Sequence, residues 1–291
     1  MVNFISDFSL AYKMFKIRKH YDAVITNSDR VGNLFALMQA FVRKRIVHIM
    51  KDCLRSYNNN PVFNILKRIQ LKIESISVAR FVVMSSCAVE YFSEFTGIKK
   101  HKFVPIHFHS TLKGYDFRIF NGNYLFAGGN GNRDYATLIN AAKGLNLKVI
   151  IAASDKSLFT NISIPDNVVI RTVTPEQFLQ LMAGSKMVVI ALKYTRLHSG
   201  GEQTYLNAMT MGKPTIVTNS REAKYYIENG KTGFLVEPGD IKGLREKIIW
   251  VLEHPEESVY KRAQYFASQL TTEVWHRKLY NLAEEIYLYE K

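Results

Sequence analysis

Two turns in this sequence pair glycine with residues able to hold an anion. In the first, residues 124–135 (Tyr-Leu-Phe-Ala-Gly-Gly-Asn-Gly-Asn-Arg-Asp-Tyr), an apolar run ends in glycines and a helix-like pattern begins near Asp134. Gly128 and Gly129 let backbone approach a ligand closely, and the N-terminus of the helix that follows favours anions. Arg133 can offer a phosphate paired N–H donors. Gly128, Gly129 and Gly131 do not have the GxGxxG spacing and no GK[ST] follows, so neither a dinucleotide fingerprint nor a Walker loop is present. A strand–Gly-Gly–helix turn also serves tight connections that hold no ligand.

The second turn lies in residues 198–217, from His198-Ser199-Gly200-Gly201-Glu202-Gln203-Thr204 to Ile216-Val217. A helix starting close to Gln203 leaves backbone N–H groups at Gly201, Glu202, Gln203 and Thr204 without helical acceptors, a cradle suited to a diphosphate. His198 can donate to phosphate or sugar. Asn207, one turn into the helix, can hydrogen-bond ribose hydroxyls through its amide. Tyr194 and Tyr205 are candidates to line the same cleft.

Other chemistries have little support. His107 and His109 form an HxH pair, but no carboxylate or third histidine follows at ligand spacing, and no metal site is expected. Cys53 and Cys87 stand alone in different segments, which gives neither a disulfide framework nor a zinc site. Nothing has the order of a Ser/His/Asp hydrolase or the paired carboxylates of a glycosidase. The sequence assigns no catalytic residue.

The elements that must position these turns alternate between two periods. In the second half, strand-like runs at Tyr124–Ala127, Lys148–Ala152, Val168–Ile170, Met187–Leu192, Pro214–Val217 and Gly233–Val236 are separated by helix-like segments. Those segments are Asp134–Lys143, Pro175–Gly184, Thr204–Met211, Glu222–Asn229 and Ile241–His254. Thr174 before Pro175 is a helix start, and Gly184, Gly212 and Gly230 are helix ends. This alternation predicts βαβ units on a parallel sheet. The first half does the same less completely, with strands at Asp22–Asn27, Ile46–Met50 and Arg80–Met84 and helices at Asn33–Phe41, Asn64–Ser77 and Ala88–Thr96. Residues 106–123 fit neither period and read as a linker.

The block Leu-Asn-Ala-Met-Thr-Met-Gly-Lys-Pro-Thr-Ile-Val-Thr (206–218), with Tyr-Ile-Glu-Asn-Gly-Lys-Thr-Gly-Phe-Leu-Val-Glu-Pro downstream, resembles the donor-binding motif of the GT-B retaining glycosyltransferases of family four. The Gly128-Gly129…Arg133-Asp134 turn is similar to the phosphate loop that opens the same domain. The likeness covers residues 120–260. It implies an α/β chain of GT-B type, with two Rossmann-like domains on parallel sheets, the N-terminal one small or incomplete. The implied division is 1–115 on the acceptor side, 116–272 for the nucleotide sugar, and a C-terminal helix over 273–291 packing back on the first domain. The implied reaction is metal-independent hexosyl transfer, with retention, from a nucleotide diphosphate sugar to a glycan or lipid-linked acceptor, as in polysaccharide biosynthesis. No cofactor is implied; the nucleotide sugar is substrate. Donor contacts carry over to Gly128, Gly129, Arg133, His198, Ser199, Gly200, Gly201, Glu202, Gln203, Thr204 and Asn207.

The departures are specific. The family's two glutamates fall at Ser199 and Asn207, its basic pair is reduced to Arg133 with Asn130, and its first-domain histidine falls at Lys51, three residues after His48. The chain starts at what looks like the second or third unit of the first domain. These gaps raise a second reading: a non-catalytic nucleotide-sugar-binding subunit that complements a partner glycosyltransferase.

Composition bounds the rest. The 291 residues are 47% hydrophobic and 22% charged, ordinary globular material. Residues 1–120 contain 19 Lys/Arg against 8 Asp/Glu, so +11 of the net +14 lies there. A basic excess in one half suggests an anionic partner. Lys13, Lys16, Arg18, Lys19, Arg43, Lys44 and Arg45 can meet anionic lipid headgroups or a lipid-linked phosphate. No recognition-helix or RNP signature accompanies the charge, so no nucleic acid is expected. The expected location is cytoplasmic, peripheral on the inner face of the membrane.

Overall fold

The structure is a computed structural model that describes residues 2–27, 30–51, 61–194 and 200–289, with side chains from residue 5. It divides into two compact units, Met1–His107 with Trp275–Lys291, and Phe108–Val274.

The first unit begins with α1 (Val2–Ile17), β1 (Ala23–Asn27), α2 (Arg30–Ala40) and β2 (Val47–Lys51). It continues with α3 (Pro61–Glu74), β3 (Arg80–Val83), α4 (Ser86–Thr96) and β4 (Phe103–Pro105). The strands are parallel in the order β1-β2-β3-β4. Phe35, Ile49, Met50 and Phe81 are buried at its centre. Both ends of α4 are written in sequence: Ser85 accepts from the Ala88 N–H, and Gly97 closes the helix at φ 69°. Helix α1 and strand β4 escaped the pattern reading. The first has apolar residues on no single stripe, and the second is only three residues long.

The second unit carries β5 (Tyr124–Gly128), α5 (Tyr135–Ala142), β6 (Lys148–Ala152), β7 (Val168–Arg171), α6 (Pro175–Ala183), β8 (Met187–Ile190) and α7 (Glu202–Thr210). After these come β9 (Thr215–Thr218), α8 (Ala223–Tyr226), β10 (Phe234–Val236), α9 (Ile241–Glu253), α10 (Glu257–Ser268) and the start of α11 (Thr272–Tyr289). Its six strands are parallel in the order β10-β9-β8-β5-β6-β7. Apolar residues fill both faces, Leu125, Ile139, Val149 and Ile248 on one and Phe126, Met182, Val188 and Leu206 on the other. A sheet covered on both sides needs continuous apolar strands, which is why these runs were readable. Thr174 and Gln177 form a reciprocal capping box at the start of α6. Helix α8 is shorter than the Glu222–Asn229 expectation, because Ile227 is buried in extended backbone and Asn229 Oδ1 instead accepts from the Leu235 N–H at 2.9 Å.

The expected linker is packed chain. Phe108, Leu112 and Phe117 lie against the second unit's core, and the Phe108 N–H donates to the Tyr226 hydroxyl at 2.8 Å. Buried Lys213 Nζ donates to the carbonyls of Phe120 (2.6 Å) and Ser185 (2.8 Å). The units therefore divide at residue 107 rather than 115. At the other end, Trp275, Leu279, Ala283 and Ile286 of α11 join Ile49, Ala79, Val82 and Ile106 in the first unit's core. No described helix is long and apolar enough to cross a membrane.

Candidate functional site

In the second sheet β5, β6 and β7 run outward to one side while β8, β9 and β10 run to the other, so the order reverses between β5 and β8. In open parallel sheets ligands bind in the crevice outside the carboxyl ends of the strands at such a reversal. The segments leaving β5 and β8 there are the two turns that the sequence singles out.

They are stitched together by backbone. Arg133 bridges Leu192, the Asp134 N–H donates to Ala191 O at 2.9 Å, and the Lys193 N–H donates to Asn132 O at 3.1 Å. Arg133 lies at the join, only 5% exposed. Its Nε donates to Gly128 O (2.8 Å), Nη1 to Gly131 O (2.7 Å) and Nη2 to the Thr204 hydroxyl (3.1 Å). One guanidinium thus closes the first turn and ties it to the first turn of α7. Burial lowers its pKa, while the charge of Glu202 works the other way.

The glycines of the first turn differ in purpose. Gly129 has φ 103°, and a Cβ there would lie 2.6 Å from Arg133 Nη2. That position needs glycine both for its backbone and for the guanidinium stacked on it. At Gly128 a Cβ would lie 2.3 Å from the Phe178 ring, so its missing side chain makes room for core packing. Asn130, the other position of the basic pair, holds the loop beyond β6: its Oδ1 accepts from the N–H groups of Ser154 (3.0 Å) and Asp155 (3.1 Å).

In the second turn Gly200 and Gly201 have φ 74° and 90°, and Gly201 caps α7 without a side-chain bond. Tyr205 is the first residue of α7 whose N–H reaches back to a helical acceptor, Gly201 O at 3.0 Å. The N–H groups of Glu202, Gln203 and Thr204 therefore precede the helical ladder. Glu202 is buried in this first turn, where the helix dipole favours a carboxylate. Gln203 is exposed and donates through Nε2 to the Thr111 hydroxyl at 2.8 Å. His198 and Ser199 lie outside the described residues.

Asn207 is already engaged. Its Oδ1 accepts from the Ser110 hydroxyl (3.1 Å) and the Thr111 N–H (2.8 Å), its Nδ2 donates to the Thr111 hydroxyl (3.1 Å), and the residue is 2% exposed. It fastens residues 110–111 to α7. Tyr205 is fully buried against Tyr226, and Tyr194 is 74% exposed. His48 is a buried core residue paired with the Thr26 hydroxyl at 2.8 Å, and burial lowers its pKa to about 3. Lys51 Nζ lies 4.4 Å from the centre of the Trp275 ring. His109 Nδ1 sits 2.9 Å from Ser110 O, and the described residues contain no group of three metal-ligating side chains. A cleft of about 620 Å³ opens beside α6, lined by Arg118, Phe120, Arg171, Val173, Gln177 and Gln180, and it includes none of the residues chosen from the sequence.

Comparison with known proteins bears on the family and the fold. Residues 130–268 match the family described as Glycosyl transferases group 1. Among solved structures, a sucrose-phosphate synthase from Thermosynechococcus elongatus is similar, with TM-score 0.76, 13% identity, and coverage of 95% of this chain and 76% of that one. Alr3699/HepE from Anabaena, in complex with UDP and glucose, gives TM-score 0.76 at 16% identity, covering 94% and 81%. The GtfA/B complex gives TM-score 0.66 at 15% identity, covering 95% and 60%. No curated protein matches in sequence. These structures share the GT-B fold with the chain.

Proposed function

We propose, from the match of residues 130–268 to the family described as Glycosyl transferases group 1, that the chain moves a hexosyl group from a nucleotide diphosphate sugar to a glycan or lipid-linked acceptor, with retention and without a metal. The observation that carries this is the β5/β8 reversal, where Arg133 joins the phosphate-type turn to the first turn of α7. The diphosphate sits on the N–H groups of Glu202, Gln203 and Thr204. Its charge grows as the sugar leaves, and fixed dipoles with a buried guanidinium alongside offset that growth without reorganising. UDP-bound Alr3699/HepE, a protein of like fold, supports the choice of ligand class. The basic first unit takes the acceptor, which fits an anionic lipid-linked phosphate and work at the cytoplasmic face of a membrane in polysaccharide biosynthesis.

The state of Asn207 favours a second reading. Its amide is spent on Ser110 and Thr111, so the position that holds a carboxylate in the family serves the fold here. On that reading the chain binds a nucleotide sugar and completes the site of a partner transferase. Release of free nucleoside diphosphate from UDP-, GDP- and ADP-sugars separates the two. Turnover by the chain alone supports the first reading, and turnover only in mixture with a transferase encoded beside it supports the second. No release in either arrangement removes both.

A further inference from the structure

Helix α3 is built inside out. At about 100° per residue, Val62, Ile65, Leu66, Ile69 and Ile73 fall within one arc of roughly 100°. That arc faces outward: Val62 is 65% exposed, Ile65 54%, Leu66 61% and Ile69 51%. The opposite side, which faces the unit's interior, carries Lys67 (9% exposed), Leu71 (1%) and Glu74 (0%). Gln70 Nε2 donates to Glu74 Oε1 at 2.6 Å and the Lys67 charge acts on the same carboxyl. A helix that buries Lys67 and Glu74 while it shows its aliphatics is matched to an apolar medium outside the protein.

The charges around the stripe identify that medium. Arg68 and Lys72 are exposed along one flank, and the only acid on α3 is the buried Glu74. Arg68 stacks on Phe95 with its guanidinium 4.1 Å from the ring centre, and Lys72 reaches over Gly97. Residues 1–107 and 275–291 together contain 20 Lys/Arg against 10 Asp/Glu, net +10. A second copy on this face would set +10 against +10. An anionic bilayer has no such conflict, since its phosphates meet the cations and its acyl chains meet the stripe.

We propose that α3 lies in the surface of an anionic membrane, with Val62, Ile65, Leu66 and Ile69 among the acyl chains and Arg68 and Lys72 at the phosphates. This names the contact surface more narrowly than the basic residues of the sequence do. Arg45, one of those residues, is spent on the carbonyls of Gln39, Ala40, Val42 and Ile76. The inference rests on the first unit alone, so its failure would leave the donor site untouched.

Sedimentation of the full chain with vesicles of equal parts phosphatidylglycerol and phosphatidylcholine tests it. Binding is expected at low salt, weaker at high salt, and much weaker on phosphatidylcholine alone. The triple variant Ile65→Ser, Leu66→Ser, Ile69→Ser, which touches only exposed side chains, should lose at least ~100-fold in affinity without a fall in Tm. A Leu66→Trp variant should shift its added emission to shorter wavelength on vesicle binding. Wild type that does not bind, or a triple variant that binds as well as wild type, overturns the proposal. A wild-type dimer that the triple variant converts to monomer also overturns it, and assigns the face to a second copy.

Discussion

Helix α7 turns Leu206, Ala208 and Met209 into the second core and buries Glu202 in its first turn, near the charge of Arg133. Helix α3 turns Lys67 and Glu74 inward and leaves Val62, Ile65, Leu66 and Ile69 outside. The acid of α7 stands at the helix end whose dipole favours it, with a cation close by. The acid of α3 stands at the opposite end, and burial pushes its pKa up to about 7. In α7 the buried carboxylate stands beside the guanidinium that ties the two glycine turns together. In α3 it is the counterpart of an outward face suited to something other than water. The same operation, placing a carboxylate inside, accompanies the join of two glycine turns in one unit and an outward aliphatic stripe in the other.

Removing the cation beside α7 should break that side of the comparison most severely. Arg133→Ala removes a buried cation that acts on Glu202 and leaves Gly128 O, Gly131 O and the Thr204 hydroxyl without this donor, a cost of about 3–5 kcal/mol in urea denaturation. Arg133→Lys should recover part of the stability but only one direction of the fork. The α3 side is best sharpened by pH. Glu74 rises from 4.5 to about 7 in the folded chain, so the folded state holds more protons in that window and stability falls as pH rises through it. His48 drops from 6.5 to about 3, so stability falls as pH decreases from 6.5 to 3. The two slopes oppose between 4.5 and 6.5 and should leave wild-type stability nearly level there. Glu74→Gln should uncover the histidine slope, about 1.4 kcal/mol per pH unit, and raise stability at pH 8. A variant as level as wild type would mean that Glu74 titrates normally. A smaller effect is expected at Asn207, where Asn207→Ala frees Ser110 and Thr111 for about 2 kcal/mol by chemical denaturation.

The contrast also explains what could be read from sequence. The second sheet announced itself because strands covered on both faces are unbroken apolar runs, as in Lys148–Ala152 and Met187–Ile190. The two glycine turns were legible because positive φ at Gly129, Gly200 and Gly201 is a demand that few other residues meet. The role of Asn207 was not, since its partners Ser110 and Thr111 are 97 and 96 residues away. Helix α3 was found by its period to within a few residues, yet a stripe at that period does not say which side faces in. The chain buries Lys67, Leu71 and Glu74 and turns the stripe outward.

The central claim is that the reversal between β5 and β8 holds a nucleoside diphosphate on the first turn of α7. Gly201→Ala tests it at the turn itself: φ there is 90°, a Cβ would lie 3.0 Å from Ile190 Cγ2 and 3.4 Å from Arg133 Nη1, and the strain is about 1–3 kcal/mol. Titration calorimetry of UDP, GDP and ADP against wild type and this variant is the measurement. The account predicts one nucleotide bound by wild type and at least tenfold weaker in Gly201→Ala, while its Tm shows the variant still folded. Equal binding by both proteins, or no binding of any of the three to wild type, would contradict it.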